Sequence, residues 1–281
     1  MFNYIGAHIS RDSTIIKTID NIISNNGNSL QIFVSSPMNS KLPNKENFKD
    51  SEKIKKYIND NNFKLVVHGS YVINLANSKI NKRYIDIQDR WWIKLLIEEL
   101  NISEYINSIG VVIHVGKYTT LTKSDGIDNM LKSIKYIINY LKTNKFNTKL
   151  IIENPAGVGT ELLTTPNEFT DFYNKFNKDE KKYLGICLDT AHIWSSGYEL
   201  NEYYSYFKNN YNDILVIHLN NSKVEKGKNL DRHETLFRGN ISIDSIKLFL
   251  NNLKNNPIII LETPSELYNN EIKWVKKKID L

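Results

Sequence analysis

Leu150-Ile-Ile-Glu153 is a short apolar run that stops at a carboxylate, with Asn154, Pro155 and Gly157 following it. A β-branched run of this length, bounded by chain breakers, reads as a buried strand. Taken alone, Glu153 would be a solvated strand end. The same arrangement recurs in Leu65-Val-Val-His68, Val111-Val-Ile-His114, Ile186-Cys-Leu-Asp189, Leu215-Val-Ile-His218 and Ile258-Ile-Ile-Leu-Glu262. Each of the six runs ends in a side chain that can bind a metal ion. The rest of the chain reads as the scaffold that brings these six ends together.

Working outward, residues 4–8, ending at His8, and Leu30-Gln-Ile-Phe33 add two more strands. Amphipathic stretches separate the strands. Ser13 or Thr14 is placed to cap a helix with Ile15, Ile16, Ile19, Ile22 and Ile23 on one face, stopped at Asn26-Gly27. Residues 49–61 carry Ile54, Tyr57 and Ile58 on one side, and a long helix has Trp92, Leu95, Leu96, Glu99 and Leu100 in register. The clearest pattern is Ile127, Met130, Leu131, Ile134, Ile137, Ile138 and Leu141. Pro166 opens another helix, residues 244–253 form the next, and Ser265 starts the last. Strand then helix, eight times, with near-continuous Val/Ile/Leu strands, means a parallel sheet covered by helices. In 281 residues without a low-complexity linker this predicts a single domain, 1–281, folded as an eight-stranded parallel TIM (β/α)8 barrel. That fold puts every strand's C-terminal end on one face, where active sites are built.

The chain is 41% hydrophobic and carries a formal charge of +6, compatible with a polyanionic partner without requiring one. The first residues lack the basic and apolar regions of a signal peptide, and no apolar run approaches the ~20 residues of a membrane span. Cys187 is the single cysteine, so no intrachain disulfide forms, and its place inside a strand predicts a buried, inert thiol. These features predict an intracellular protein, cytoplasmic, or nuclear or virion-borne depending on its source, and a monomer.

All six histidines lie at strand ends or in the loops beyond them: His8, His68, His114, His192, His218 and His233. With Glu153, Asp189, Asp231 and Glu262 they make an imidazole–carboxylate set of the kind that binds zinc and related ions. About nine candidate ligands exceed what one ion takes, so two or three ions are expected.

The sequence resembles the endonuclease IV family of metal-dependent AP endonucleases over nearly its whole length. The resemblance rests on Gly6-Ala-His8-Ile-Ser10, His68-Gly-Ser-Tyr71-Val-Ile-Asn74-Leu-Ala76, Glu153-Asn-Pro-Ala-Gly157 with Gly159-Thr-Glu161, and Leu188-Asp189-Thr-Ala-His192. It also rests on His218-Leu-Asn-Asn-Ser-Lys223, Asp231-Arg-His233-Glu234 and Leu261-Glu262-Thr-Pro264. It implies a TIM barrel holding three zinc ions, with manganese the alternative at one site. Carried over by position, His68, His114 and Glu153 hold one ion. Glu153 bridges to a second, completed by Asp189, His218 and Glu262, and His192, Asp231 and His233 hold the third. The implied partner is double-stranded DNA containing abasic sites. The implied reaction is hydrolysis 5′ to the abasic site, leaving a 3′-hydroxyl and a 5′-deoxyribose phosphate, with trimming of 3′ ends as an added activity.

Glu153 is the expected catalytic residue. Tyr71 and Val72 are placed to fill the gap left when the abasic sugar turns out of the stack. His8, Met38, Lys117, Lys223 and Arg232 are the other expected DNA contacts. The chain departs from the family in three places: Arg11-Asp12-Ser13 stands where a glycine pair is usual, Met38 near the place of an arginine that pushes into DNA, and Asn220-Asn-Ser-Lys223 for Asn-Asp-Ser-Lys. None removes a ligand. The alternative reading is a sugar isomerase or epimerase on the same barrel, which needs one or two ions. The set His192, Asp231 and His233 argues against it. A non-catalytic DNA-binding protein is the third reading, and the complete ligand set argues against that.

Overall fold

Eight Val/Ile/Leu-rich runs lie side by side as parallel strands: β1 (Ile5–His8), β2 (Ser29–Phe33), β3 (Lys64–His68), β4 (Gly110–His114), β5 (Lys149–Glu153), β6 (Leu184–Asp189), β7 (Ile214–His218) and β8 (Ile258–Leu261). The computed structural model describes residues 4–81, 83–264 and 267–279. Each strand pairs with the next, and β1 also pairs with β8, which closes the ring. This is the expected parallel barrel.

Side chains two apart on a strand share a face. Counting back two from each ligand reaches Val66, Val112, Ile151, Cys187, Val216 and Ile260, which with Ile258 form a small apolar cluster of their own. The residues between, such as Leu65, Val67, Leu150, Ile152, Leu188 and Leu261, belong to the larger core under the helices. The alternation therefore plugs the barrel with aliphatic side chains and lays the ligands on top of the plug. β7 joins this scheme through a register slip at Ile186/Cys187, after which Cys187 pairs Val216 and Asp189 pairs His218. A one-residue slip exchanges the two faces of a strand, so the slip is what turns His218 inward.

The helices are α1 (Ile15–Ser24), α2 (Ser51–Asp60), α3 (Trp91–Tyr105), α4 (Lys123–Thr143), α5 (Pro166–Tyr173), α6 (Thr190–Ser195), α7 (Leu200–Ser205), α8 (Ile243–Asn252) and α9 (Tyr268–Ile279). Thr14 caps α1 by accepting from Lys17 N at 3.2 Å. Asn26, not Gly27, takes the left-handed turn after it, at φ 67°. Gly27 is needed for space instead, since a Cβ there would meet Ile22 Cγ2 at 2.5 Å. Ser265, expected to begin the last helix, lies outside the described residues.

Two short antiparallel pairs have no counterpart in the sequence reading. Lys79–Ile80 pairs with Arg83–Tyr84 beyond β3, and Asn221–Ser222 pairs with His233–Glu234 beyond β7. The second pair fastens to the rim both ends of the segment between them, which carries Lys223, Lys226 and Lys228. Among the described residues, no helix is long and apolar enough to cross a membrane.

Candidate metal centre

Asp189 shows how local sequence builds the rim. It ends β6 and also caps α6, its Oδ1 accepting from His192 N at 2.8 Å. An aspartate at this position satisfies an orphan helix donor, and the Asp-x-x-His spacing brings His192 to the same mouth. Asp189 is itself held by Asn154 Oδ1, which accepts from its backbone N at 2.6 Å, and by Asn220 Nδ2, which donates to its Oδ2 at 2.6 Å.

Four groups of possible ligands result among the described residues. Three are of imidazole and carboxylate alone: His68, His114 and Glu153; Glu153, Asp189, His218 and Glu262; and Asp189, His192 and His233. The fourth joins the Cys187 thiol to Glu153 and His218. Asp231 joins the third, 3.4 Å from His192 Nε2 and 3.1 Å from His233 Nε2. Glu153 lies 3.5 Å from His68 Nε2, 3.3 Å from His114 Nε2 and 2.9 Å from His218 Nδ1. Glu262 reaches His218 Nδ1 at 3.2 Å. A tetrahedral ion with bonds near 2.0–2.1 Å sets its ligand atoms roughly 3.3 Å apart. The observed spacings cluster there, apart from the 3.9 Å between His218 Nδ1 and Asp189 Oδ2.

Two further observations fit a cation. Glu153 Oε2, His192 Nε2 and His233 Nε2 are buried without a hydrogen-bond partner. Such groups each cost roughly 1–3 kcal/mol, a cost that bound cations would offset. The second is imidazole orientation. His68 Nδ1 faces Gly69 O at 2.8 Å, His192 Nδ1 faces Asn154 O at 2.9 Å, and His218 Nε2 faces Gln31 Oε1 at 3.0 Å. Donating to these acceptors leaves the opposite nitrogen's lone pair aimed into the mouth, as in metal-bound histidines.

Electrostatics agree. Burial opposes the charge on Glu153, yet His218 and His114 outweigh it and hold the carboxyl well below the usual range. Burial likewise opposes protonation of His233, but Asp189 and Asp231 lift its pKa to about 9. His114 goes the other way, to about 4, because burial dominates there. Burial also pushes the Cys187 thiol up to about 12, which makes it the inert group expected.

The expected DNA contacts are spread differently. Tyr71 is half exposed, its ring 5.3 Å from those of Phe33, His68 and His114. Val72 instead packs against the main core. Met38 is 73% exposed. Lys223 and Arg232 are opposed across the hairpin, Lys223 N donating to Arg232 O at 2.9 Å. Lys117 lies 3.4 Å from Glu161, whose Oε2 accepts from the backbone N of Gly157 and Val158. Gly157 makes that turn at φ 84°. His8 is drawn inward, its Nδ1 2.9 Å from Glu262 Oε1. Gln31, unremarked in the sequence, donates to Glu262 Oε1 at 2.7 Å. A polar residue inside an apolar strand is the signal that marks it.

The family model described as a xylose isomerase-like TIM barrel matches residues 26–280. A probable endonuclease 4 of Mycoplasmopsis synoviae (strain 53) is 31% identical over 287 residues, covering 98% of this chain and 98% of its own. The chain belongs to the endonuclease IV family. The apurinic-apyrimidinic endonuclease 1 of Plasmodium berghei (strain Anka) is 32% identical over 98% of this chain and 55% of its own length. In fold, endonuclease IV from Thermus thermophilus superposes with a TM-score of 0.79 at 20% identity, covering 99% of both chains.

His233→Ala is expected to remove about one equivalent of metal and leave the barrel folded, because His233 lies on a loop hairpin outside both apolar clusters. Elemental analysis of dialysed protein and the thermal transition check it. Since a cation must displace the proton that His233 keeps up to about pH 9, zinc affinity at this group should rise with pH through neutrality and weaken as pH falls. A competition titration at pH 6 and pH 8 that shows no such rise would count against His233 as a ligand.

Proposed function

We propose that this member of the endonuclease IV family is a metal-dependent AP endonuclease. It hydrolyses the phosphodiester bond 5′ to an abasic nucleotide in double-stranded DNA, leaving a 3′-hydroxyl and a 5′-deoxyribose phosphate. The observation that carries this reading is the rim itself, three ligand groups joined through Glu153 and Asp189. The donor set suits zinc, about three ions per chain, with manganese the alternative at one site. When bound, the ions supply neutralisation of phosphate charge and a water that ionises near neutral pH.

The chain's own groups do the rest. Glu153 Oε2, which has no hydrogen-bond partner, orients the attacking water at phosphorus, and the upstream 3′ oxygen leaves with a proton. Beside the ligands lies a cavity of about 370 Å³ lined by Met38, Tyr71, Asn74, His114, Lys117 and Arg232, among others. That is at the small end for ligand pockets, as suits a sugar-phosphate without its base. Lys117, Lys223 and Arg232 hold phosphates on either side. The Tyr71 ring fills the gap that the displaced sugar leaves in the stack. Trimming of blocked 3′ ends uses the same groups on a terminal phosphate ester. The protein acts as a single-domain monomer.

The deciding experiment is incubation with a duplex containing one abasic site. Cutting should stop with chelator and return with zinc, and cutting that persists under exhaustive chelation would overturn the reading. Tyr71→Ala should weaken binding to the abasic duplex by roughly tenfold, since stacking on an aromatic contributes about 1–3 kcal/mol, with metal content intact. Unchanged affinity would assign the gap to Met38.

A further inference from the structure

The loops carrying Met38 and Tyr71 are fastened to each other from beneath. Glu99 of α3 is fully buried. Its Oε1 accepts from Ser35 Oγ and, at 3.1 Å, from the backbone N of Ser70. The two loops are then tied directly: Ser70 Oγ lies 2.9 Å from Ser36 O and 3.0 Å from Pro37 O, and Tyr71 N donates to Pro37 O at 3.0 Å. Gly69 lets the loop come this close, since a Cβ there would sit 2.9 Å from Ile113 Cγ2 and 3.2 Å from Glu99 Oε2. Around it on that helix Leu95, Leu96 and Leu100 are buried, with Ser103 one turn on. A carboxyl buried beside leucines is costly unless it satisfies something, and what its Oε1 satisfies is a donor from each loop, while Oε2 has no hydrogen-bond partner.

We propose that Glu99 is a positioning residue, whose Oε1 sets the loop bearing Tyr71 against the loop bearing Met38 so that both side chains meet bound DNA as one rigid wedge. The clamp stands on the geometry above; its use on DNA rests on the function proposed in the preceding section. Either oxygen chemistry serves, because the accepting atom is a carbonyl-type oxygen that glutamine also has. Glu99→Met keeps volume and removes the acceptor. Glu99→Gln keeps the acceptor.

In the metal-loaded protein, Glu99→Met should speed amide exchange at residues 35–38 and 69–72 by about tenfold or more while the barrel strands stay protected. The KM for abasic duplex should rise about tenfold with kcat within about twofold, and metal content should not change. Glu99→Gln should restore both. Ser35→Ala should speed exchange at 35–38, and it decides the matter if Glu99→Met does not fold. The proposal is overturned if exchange in these loops stays at the wild-type rate, if Glu99→Gln is as impaired as Glu99→Met, or if the loss lies in kcat with a fall in metal. Failure of the wild type to cut abasic duplex would sink the proposed function, while the exchange measurements would still decide the clamp.

Discussion

Glu153→Gln lowers the rate of abasic-site cutting on the order of a thousandfold, with the thermal transition and far-UV spectrum of the wild type retained. The expectation follows from what Glu153 touches. It is the one side chain common to the first two ligand groups, and it faces His68, His114 and His218 from the end of β5. An amide has nearly the same shape, so the packing above Ile151 survives. It has lost the charge that three imidazoles surround and one of the two acceptor oxygens that sharing requires. Removing a single preorganised electrostatic contact in an active site costs about 10²–10³ in rate, and here positioning of the attacking water is lost with it. Single-turnover cutting with saturating zinc tests this. A variant within tenfold of wild type would mean that Glu153 is structural.

The second large effect separates hydrolysis from its chemical competitor. A lyase cuts an abasic site through a Schiff base between an amine and the open-chain aldehyde, and this chain has lysines in plenty. The hydrolysis proposed here uses no amine: the groups placed to do it are imidazoles and carboxylates. A duplex carrying a tetrahydrofuran in place of the abasic sugar, which has no aldehyde, should therefore be cut as readily as the natural site. The cut falls on its 5′ side and leaves a 3′-hydroxyl that a polymerase extends. Borohydride should trap nothing. A lyase would leave the analogue intact, so resistance of the analogue together with a trapped complex on the natural site would overturn the hydrolytic reading.

The barrel and most of the rim are legible in the sequence because both follow from one periodicity. An apolar run that ends in a ligand specifies a buried strand and, through the two-residue repeat, the face on which the ligand lies. His192 is legible too, because it lies just beyond the strand end at Asp189; that Asp189 caps the helix carrying it is seen only in the structure. The register slip that turns His218 inward is not, since it depends on how β6 and β7 fit a closed ring. The two-residue hairpins leave no period to read. The shape of the 221–239 segment comes from distant contacts, such as Asn221 Nδ2 donating to Leu236 O and Ile241 O. Glu99 falls in the helical register of leucines and reads as one more position on that face. Only the loops packed over it reveal its partners.

The row of ligands across six consecutive strands also orders events in time. His68, His114 and Glu153 are complete once five strands have formed, whereas Glu153, Asp189, His218 and Glu262 cannot meet until β8 has sealed the ring against β1. A chain emerging from the ribosome would thus make its first metal-binding half early and its second only at the end. Capture of a cation by the group that includes Glu262 would report that the circle is shut, and its binding free energy would add to the closed form alone. In refolding followed with a zinc indicator, we expect one equivalent to be taken up before the rest. Uptake of all equivalents in a single late step would show that the early half has no affinity until the barrel closes.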